Sequence, residues 1–251
     1  MKIIDLHTHY GKWFFPIEKD SINDFLDIMK RNEIEISVVS SSMAIIYDFK
    51  EGNKELADVL MYHPELFGYL FLNPNYLKQS FKEMDKYLQN EKFIGLGELY
   101  DEGYIGSKTL NGEGYKQILK RLLEKFSQRL VLFHCGGKRG IFRLLEVAKE
   151  FPEINFIAGH MGNPEWETAA RTFKRVKNVY LEICSSFPCR DKIETVVKEI
   201  GAQRIVFGSD STLINPAFII GMVVESDISK EEKEKIFYSN AKNLLSERTN
   251  K

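Results

Sequence analysis

Eight short β-rich runs alternate with longer helical patterns along this chain. The runs occupy residues 2–9, 35–42, 66–74, 93–100, 130–136, 155–162, 178–185 and 204–211. Most have nearly continuous apolar cores, which is typical of parallel strands covered by helices on both faces. The segments between them repeat apolar residues at the helical period, as Ile22, Phe25 and Met29 do. The alternation therefore predicts an α/β fold with a parallel sheet.

Two parallel architectures fit this pattern. A chain of 251 residues has the typical length of one (β/α)8 TIM barrel. A doubly wound open sheet would more naturally show a glycine fingerprint after its first strand, but here that turn reads HYGKWFFP. We therefore predict a single, distorted TIM barrel, with residues 1–251 as one domain. Predicted helix boundaries are an N-cap at Ser21, an end at Gly201 and a capping box from Ser229 to Glu232.

Composition and charge limit the partners and the cellular compartment that we expect for this protein. The formal net charge is −1, so no basic field indicates nucleic acid. Three cysteines without a CxxC pattern fit a reducing compartment better than a disulfide framework. No apolar stretch reaches the ~20 residues of a membrane span, and the N-terminus lacks the regions of a signal peptide. We expect a cytoplasmic protein without membrane contact, and the sequence leaves a homo-oligomer open.

The stretch DLHTH, residues 5–9, places two of the five histidines two positions apart. Alternate residues of a strand point to the same face, so His7 and His9 are expected to stand side by side. Two neutral imidazoles held in this way form half of a metal site. Taken alone, the pair could equally be polar residues at a strand end.

Further candidate ligands fall at the carboxyl ends of other predicted strands. They are Glu98 on the fourth strand, His134 on the fifth, His160 on the sixth and Asp210 on the eighth. The carboxyl ends of the strands form the face on which TIM barrels build active sites. Residue type and location together indicate a divalent metal site, with zinc expected first and manganese, iron or nickel as alternatives. The remaining histidine, His63, precedes a proline and is interpreted as structural.

The motifs DLHTH, LFHCG, AGHMG and FGSD, in this order on these strands, resemble those of the metal-dependent hydrolases of the amidohydrolase superfamily. The similarity is greatest to the "amidohydrolase 2" branch, which also contains non-oxidative decarboxylases. The segment IFYSNAKNLL resembles the closing helix of that branch. The resemblance implies that His7, His9 and His134 are metal ligands and that Asp210 is both ligand and proton carrier. It implies that His160 either binds a second metal or polarises the substrate.

Many members of the superfamily bridge two metals with a carboxylated lysine on the fourth strand. This chain has Glu98 at the equivalent place, which resembles the arrangement in TatD-like nucleases. With Glu98 as a bridge, two metals are feasible, and without it one metal held by His7, His9, His134 and Asp210 is the natural site. The resemblance thus implies one or two divalent ions per chain.

The function that this resemblance implies is hydrolysis of an amide, lactone or ester bond in a small molecule. Coordination to a metal makes water acidic enough to supply hydroxide at neutral pH. A non-oxidative decarboxylase of a small aromatic acid is the alternative on the same site. TatD-like or PHP-like phosphoesterases are further alternatives, although the PHP pattern usually has a histidine where Ser211 and Thr212 follow Asp210. A barrel that binds metal without catalysis is the remaining class.

Five residues are candidates for contact with the substrate. Lys138 and Arg139 follow the fifth strand and could bind a carboxylate or phosphate, although a solvent-facing loop is the commoner explanation. Trp13, Tyr100 and Tyr104 could form the wall of a pocket on the catalytic face, or could simply pack between loops.

Overall fold

Eight parallel strands form one sheet in the order β1 to β8. The computed structural model describes residues 1–101, 108–127, 130–185 and 189–246. The strands are β1 (Ile3–Tyr10), β2 (Ile34–Ser41), β3 (Leu66–Leu70), β4 (Phe93–Tyr100), β5 (Leu130–Gly136), β6 (Asn155–Gly162), β7 (Val179–Glu182) and β8 (Ile205–Val206). Helices alternate with the strands, so the predicted (β/α)8 barrel is confirmed.

The helices cover the outside of the sheet. They are α1 (Ile22–Arg31), α2 (Ser42–Ile46), α3 (Phe49–Tyr62), α4 (Leu77–Tyr87), α5 (Glu113–Lys125), α6 (Gly137–Glu150), α7 (Trp166–Phe173), α8 (Lys192–Ile200), α9 (Pro216–Val224), α10 (Lys230–Glu234) and α11 (Asn240–Ser246). A π-helical turn joins α10 to α11. Within the described ranges, none of these helices has the length and apolar character needed to cross a membrane.

Side chains at the helix ends explain several boundaries. The Ser21 hydroxyl accepts a hydrogen bond from Asp24 N at the start of α1. Gly201 ends α8 with φ of 87°, a backbone conformation that glycine adopts without strain. Ser229 and Glu232 form the predicted capping box of α10. These three sequence predictions are confirmed.

The barrel closes between β1 and the segment that follows β8. Leu6 N donates to Phe207 O at 3.0 Å, and Asp210 N donates to His7 O at 2.8 Å. These bonds pair residues 207–210 with β1. The ladder with β7 covers only Ile205 and Val206, so β8 is shorter than the predicted run. β3 and β7 also end earlier than predicted, and the chain beyond them forms loops.

Two apolar layers surround the strands. Inward-facing side chains such as Ile4, Leu6 and Val38 fill the barrel interior, where Leu244 of α11 packs against them. A larger cluster lies between the strands and the outer helices. Because the interior is filled with side chains at one end, the polar residues on the inner face are confined to the opposite, carboxyl end of the strands.

Candidate metal centre

The histidines of DLHTH stand together at the carboxyl end of β1, as strand alternation predicts. The ring centroids of His7 and His9 are 5.3 Å apart, and both side chains are almost fully buried. Asp210 reaches the same place from the other side of the barrel seam. Its Oδ1 lies 3.1 Å from His9 Nε2 and 3.8 Å from His7 Nε2. One carboxylate oxygen and two imidazole nitrogens therefore converge.

Glu98 lies between two groups of imidazoles. Its Oε2 is 3.4 Å from His7 Nε2 and 3.3 Å from His9 Nε2. Its Oε1 is 2.9 Å from His134 Nδ1 and 3.4 Å from His160 Nε2. Each oxygen of one carboxylate thus faces a different pair of candidate ligands. This placement is compatible with a carboxylate that contacts one cation or is shared between two.

Tyr100 fixes this carboxylate. Its hydroxyl donates to Glu98 Oε2 at 2.8 Å, and its ring stacks on His134 at a centroid distance of 4.8 Å. The Tyr100 backbone carbonyl in turn accepts from the hydroxyl of the buried Tyr115. The register of β4 and β5 sets Tyr100 opposite His134, so the parallel pairing itself brings the two rings together.

Two candidate residues adopt the left-handed backbone conformation. φ is 60° at His160 and 57° at Asp210, a region that side chains other than glycine seldom occupy. His160 lies near the carboxyl end of β6, and Asp210 lies in the segment after β8. Strained residues of this kind cluster at functional sites, where the surrounding structure holds them in place.

The donor set fits a divalent cation. Among the described residues, His7 Nε2 and Asp210 Oδ1 are buried without a hydrogen-bond partner, although they lie at the centre of the cluster. An unsatisfied buried polar atom is costly, so atoms that point at one another in this way indicate a missing positive partner. Imidazole nitrogens and carboxylate oxygens are ligands for zinc and manganese. The four histidines, Glu98 and Asp210 therefore provide either one shared site or two adjacent ones.

The electrostatics of the cluster agree with that interpretation. Burial disfavours the charged forms, but the facing imidazoles hold the pKa of Glu98 well below its usual range. Burial lowers and the Glu98 carboxylate raises the pKa of His7, and the net result lies well above the ordinary value. The pKa of His160 is raised in the same sense, by Cys184 and Glu98 against burial. The buried carboxylates of the cluster therefore require positive charge nearby, which protons or a metal can supply.

Two residues of this region escaped sequence reasoning. Glu182 ends β7, and its Oε2 accepts from His7 Nδ1 at 2.8 Å. Cys184 follows, with its Sγ 3.0 Å from His160 Nδ1. Both are fully buried. The available signal was a carboxylate inside the apolar run VYLEIC, because a buried glutamate in a strand requires a partner.

A cavity of about 280 Å³ opens above the cluster. Its lining includes the candidate ligands at the floor and aromatic rings at the side, of which Trp13 and Tyr100 were predicted. The remaining wall residues are Phe15, Gly136, Asn163, Ser185 and Leu213. The rings of Trp13 and Phe15 are stacked with their centroids 5.8 Å apart, and Trp13 also contacts His9 edge-on at 5.1 Å. An apolar planar wall thus stands beside a polar floor.

The other predicted contacts lie elsewhere. Lys138 and Arg139 are exposed at the start of α6 and are not among the described residues that line the cavity. Lys138 Nζ instead lies 3.7 Å from Glu165 Oε1. Tyr104 lies outside the described residues. His63 forms the C-cap of α3, in agreement with a structural role.

Comparison with known proteins gives matches of two kinds. The Amidohydro_2 family, described as Amidohydrolase, matches residues 49–246, a range that leaves out β1 with His7 and His9. No curated protein matches the sequence significantly. The TatD-like interpretation of Glu98 is not confirmed by these matches.

Solved structures resemble the whole barrel. A 2,6-dihydroxybenzoate decarboxylase from Rhizobium aligns with a TM-score of 0.76 at 17% identity, over 97% of this chain and 98% of that one. A dihydroxybenzoic acid decarboxylase from Polaromonas sp. JS666, with bound manganese and 2-nitroresorcinol, aligns at 0.76 and 16% over 99% of both chains. A 5-carboxyvanillate decarboxylase from Sphingomonas paucimobilis aligns at 0.77 and 11%, over 97% and 98%. At identities this low, the alignments establish the shared fold and nothing beyond it. The family match covers well over half of the chain, and this protein therefore belongs to the Amidohydro_2 family of amidohydrolases.

Proposed function

We propose that this protein is a metal-dependent, non-oxidative decarboxylase of a small aromatic carboxylic acid. Three proteins that share its fold are decarboxylases of dihydroxybenzoate or carboxyvanillate, which are acids of this class. The observation that carries the proposal is the cavity, in which stacked aromatic side chains stand directly beside the candidate metal ligands. The resemblance of the sequence motifs implies hydrolysis first, whereas the fold relatives favour the decarboxylase alternative.

The cavity suits a flat, single-ring acid. Its volume of about 280 Å³ accommodates one ring with small substituents. A ring lying against Trp13 and Phe15 would direct its polar edge toward His9 and Asp210 at the floor.

His7, His9, Glu98 and Asp210 would hold the metal, with His134 and His160 adjacent. When bound, a divalent metal supplies a positive charge that orients and polarises the substrate oxygens. The zinc expected from sequence and the manganese of the Polaromonas protein are both compatible with this donor set. Tyr100 keeps Glu98 in place through its hydroxyl.

Asp210 is the proposed proton carrier. In the reaction the bond between the ring carbon and the carboxylate carbon breaks, its electron pair stays on the ring carbon, and carbon dioxide leaves. Asp210 delivers the proton that forms the new carbon–hydrogen bond. Although burial favours the neutral form, His9 and the other neighbouring imidazoles lower the pKa of Asp210. Asp210 therefore receives this proton from the bound substrate or from solvent before delivering it.

Hydrolysis of an amide, lactone or ester is the second candidate. A specific observation favours it, since Glu98 directs its two oxygens at two separate pairs of histidines. Sites with two metals are widely used for hydrolytic displacement. In this case Asp210 would take a proton from water and return it to the leaving group.

A paired substrate screen tests the proposal. The purified protein, loaded in turn with Mn²⁺ and Zn²⁺, is assayed for carbon dioxide release from hydroxybenzoates and for cleavage of amides, lactones and esters. The expected result is release of carbon dioxide from at least one aromatic acid, abolished by a chelator. Cleavage of a neutral amide, lactone or ester, without any decarboxylation, would overturn the proposal in favour of hydrolysis.

A further inference from the structure

Glu182 accepts hydrogen bonds from three different parts of the site. Its Oε2 accepts from the ring nitrogen His7 Nδ1 at 2.8 Å and from the backbone N–H of His160 at 3.0 Å. The same oxygen lies 3.1 Å from Cys184 Sγ, and Oε1 accepts from the Cys184 backbone N–H. With no exposed surface, this carboxylate has no access to water and is satisfied by protein donors alone.

Cys184 extends this network to a second histidine. Its Sγ lies 3.0 Å from His160 Nδ1 and 3.1 Å from Glu182 Oε2. A thiol has one proton to donate, and the carboxylate can only accept. The consistent arrangement is that Cys184 donates its proton to Glu182 and accepts one from His160 Nδ1. Every proton in the network then points toward Glu182.

We infer that Glu182 and Cys184 are positioning residues that set the tautomers of His7 and His160. In this assignment both rings carry their proton on Nδ1 and direct the lone pair of Nε2 into the cluster. The Nε2 atoms are the ones that face Glu98, at 3.4 Å in each case. Glu182 also holds the backbone of His160, whose φ of 60° would otherwise be unfavourable.

The physical reason is that a neutral imidazole has only one nitrogen free to bind a cation. A carboxylate bonded to the opposite ring nitrogen fixes the tautomer and the ring orientation, and it raises the basicity of the ligand. The inference rests on the metal site of the proposed function. It does not depend on whether the reaction is decarboxylation or hydrolysis, so metal binding tests it separately.

The first test replaces Glu182 with methionine, which has a similar length and offers no oxygen acceptor. Binding of Mn²⁺ and of Zn²⁺ to the metal-free protein is measured by chelator competition. We expect Glu182→Met to weaken binding by about 10- to 100-fold. Glutamine keeps one acceptor oxygen, so Glu182→Gln is expected to fall between the wild type and the methionine variant.

The matched control is Glu83→Gln. Glu83 is also a buried glutamate, and it accepts a hydrogen bond from Asn53 at 3.1 Å, away from the candidate metal centre. This variant is expected to bind both metals as the wild type does. Equal weakening in the Glu83 and Glu182 variants would mean that any buried glutamate matters, and it would overturn the inference.

The second test observes the tautomers directly and remains valid if the methionine variant does not fold. Long-range proton–nitrogen NMR of the zinc-loaded protein, assigned with His7→Asn and His160→Asn, reports which nitrogen of each ring holds the proton. We expect Cys184→Ala to change the His160 pattern and Cys184→Ser to restore it. Unchanged His160 signals in Cys184→Ala, or an Nε2 proton on His7 in the wild type, would overturn the inference.

Discussion

Glu98 is completely buried, and its two oxygens lie within 3.4 Å of four different imidazole rings. A carboxylate in this position would be unstable without positive charge nearby. The histidines can supply that charge as protons, or a metal can supply it with the histidines neutral. Protons and a metal cation therefore compete for the same imidazole nitrogens and carboxylate oxygens.

Metal binding should consequently depend on pH. Because the pKa values of His7 and His160 are raised, a metal must displace protons from these rings. We expect the affinity for Mn²⁺ to rise from about pH 6 to about pH 8, by about tenfold per pH unit for each proton displaced. Chelator competition at several pH values measures this slope. A flat profile would show that the rings are already neutral, and His160→Asn should reduce the slope.

Asp210 should matter more for turnover than for binding. Asparagine keeps an oxygen that can approach the metal but cannot carry the proton. We therefore expect Asp210→Asn to reduce kcat by about 10²- to 10⁴-fold, with a smaller change in KM. Metal content is measured in parallel. Asp48→Asn, which exchanges one good N-cap of α3 for another, is the control and should keep full activity. Unchanged kcat in metal-loaded Asp210→Asn would contradict the assigned role.

At the scale of elements, the turns that follow the strands position the site. His160, near the carboxyl end of β6, and Asp210, in the segment after β8, both adopt a left-handed backbone conformation. In β6, the turn continues to Gly162, whose φ is 75°. A Cβ atom there would lie 2.8 Å from Ile141 Cδ1 and 2.9 Å from Ala169 Cβ, so α6 and α7 pack directly against this glycine.

Replacement of Gly162 by alanine should therefore destabilise the protein. The left-handed backbone and the contacts with the two helices each disfavour a side chain, and we expect a loss of about 1–3 kcal/mol in the free energy of unfolding. Gly221→Ala is the matched control, because Gly221 lies inside α9 with nothing within 4 Å of its Cβ position. That substitution should be neutral or stabilising by about 0.5–1 kcal/mol. Denaturant unfolding of both variants checks the contrast, which would disappear if the β6 turn were free to adjust.

At the scale of the whole molecule, the cluster connects distant parts of the barrel. β1, β4, β5 and β6 all contribute candidate ligands, as does the segment after β8 that closes the sheet. A cation bound at this point would cross-link the first and last strands across the seam. Metal binding should therefore stabilise the entire fold rather than one loop.

A chelator should accordingly lower the melting temperature. A ligand present at a hundredfold excess over its Kd stabilises the native state by about 2.7 kcal/mol. For a domain of this size, removal of the metal is expected to lower Tm by roughly 5 to 10 °C. Thermal unfolding with and without a chelator measures the difference. The double variant His7→Asn and His9→Asn should not respond, and an equal response would place the stabilising ion elsewhere.

Sequence alone was sufficient for the alternation of strands and helices and for the candidate ligands at strand ends. Both follow from local rules. The spacing of apolar residues identifies each strand or helix, and in a parallel barrel the carboxyl ends of all strands lie on one face. β4, β5 and β6 were predicted with the observed boundaries for this reason. The start of α1 at Ser21 and the end of α8 at Gly201 also depend only on residues that are close in the sequence.

Only the tertiary structure decided how these residues meet. The contact between His7 and Glu182 joins residues 175 positions apart, and no local pattern encodes such a pairing. The length of β8 depends on its ladder with β7, and the wall of the cavity depends on how the loop with Phe15 folds over the site. Composition and periodicity determine which face of an element is apolar, whereas the network behind the ligands depends on packing between elements far apart in the chain.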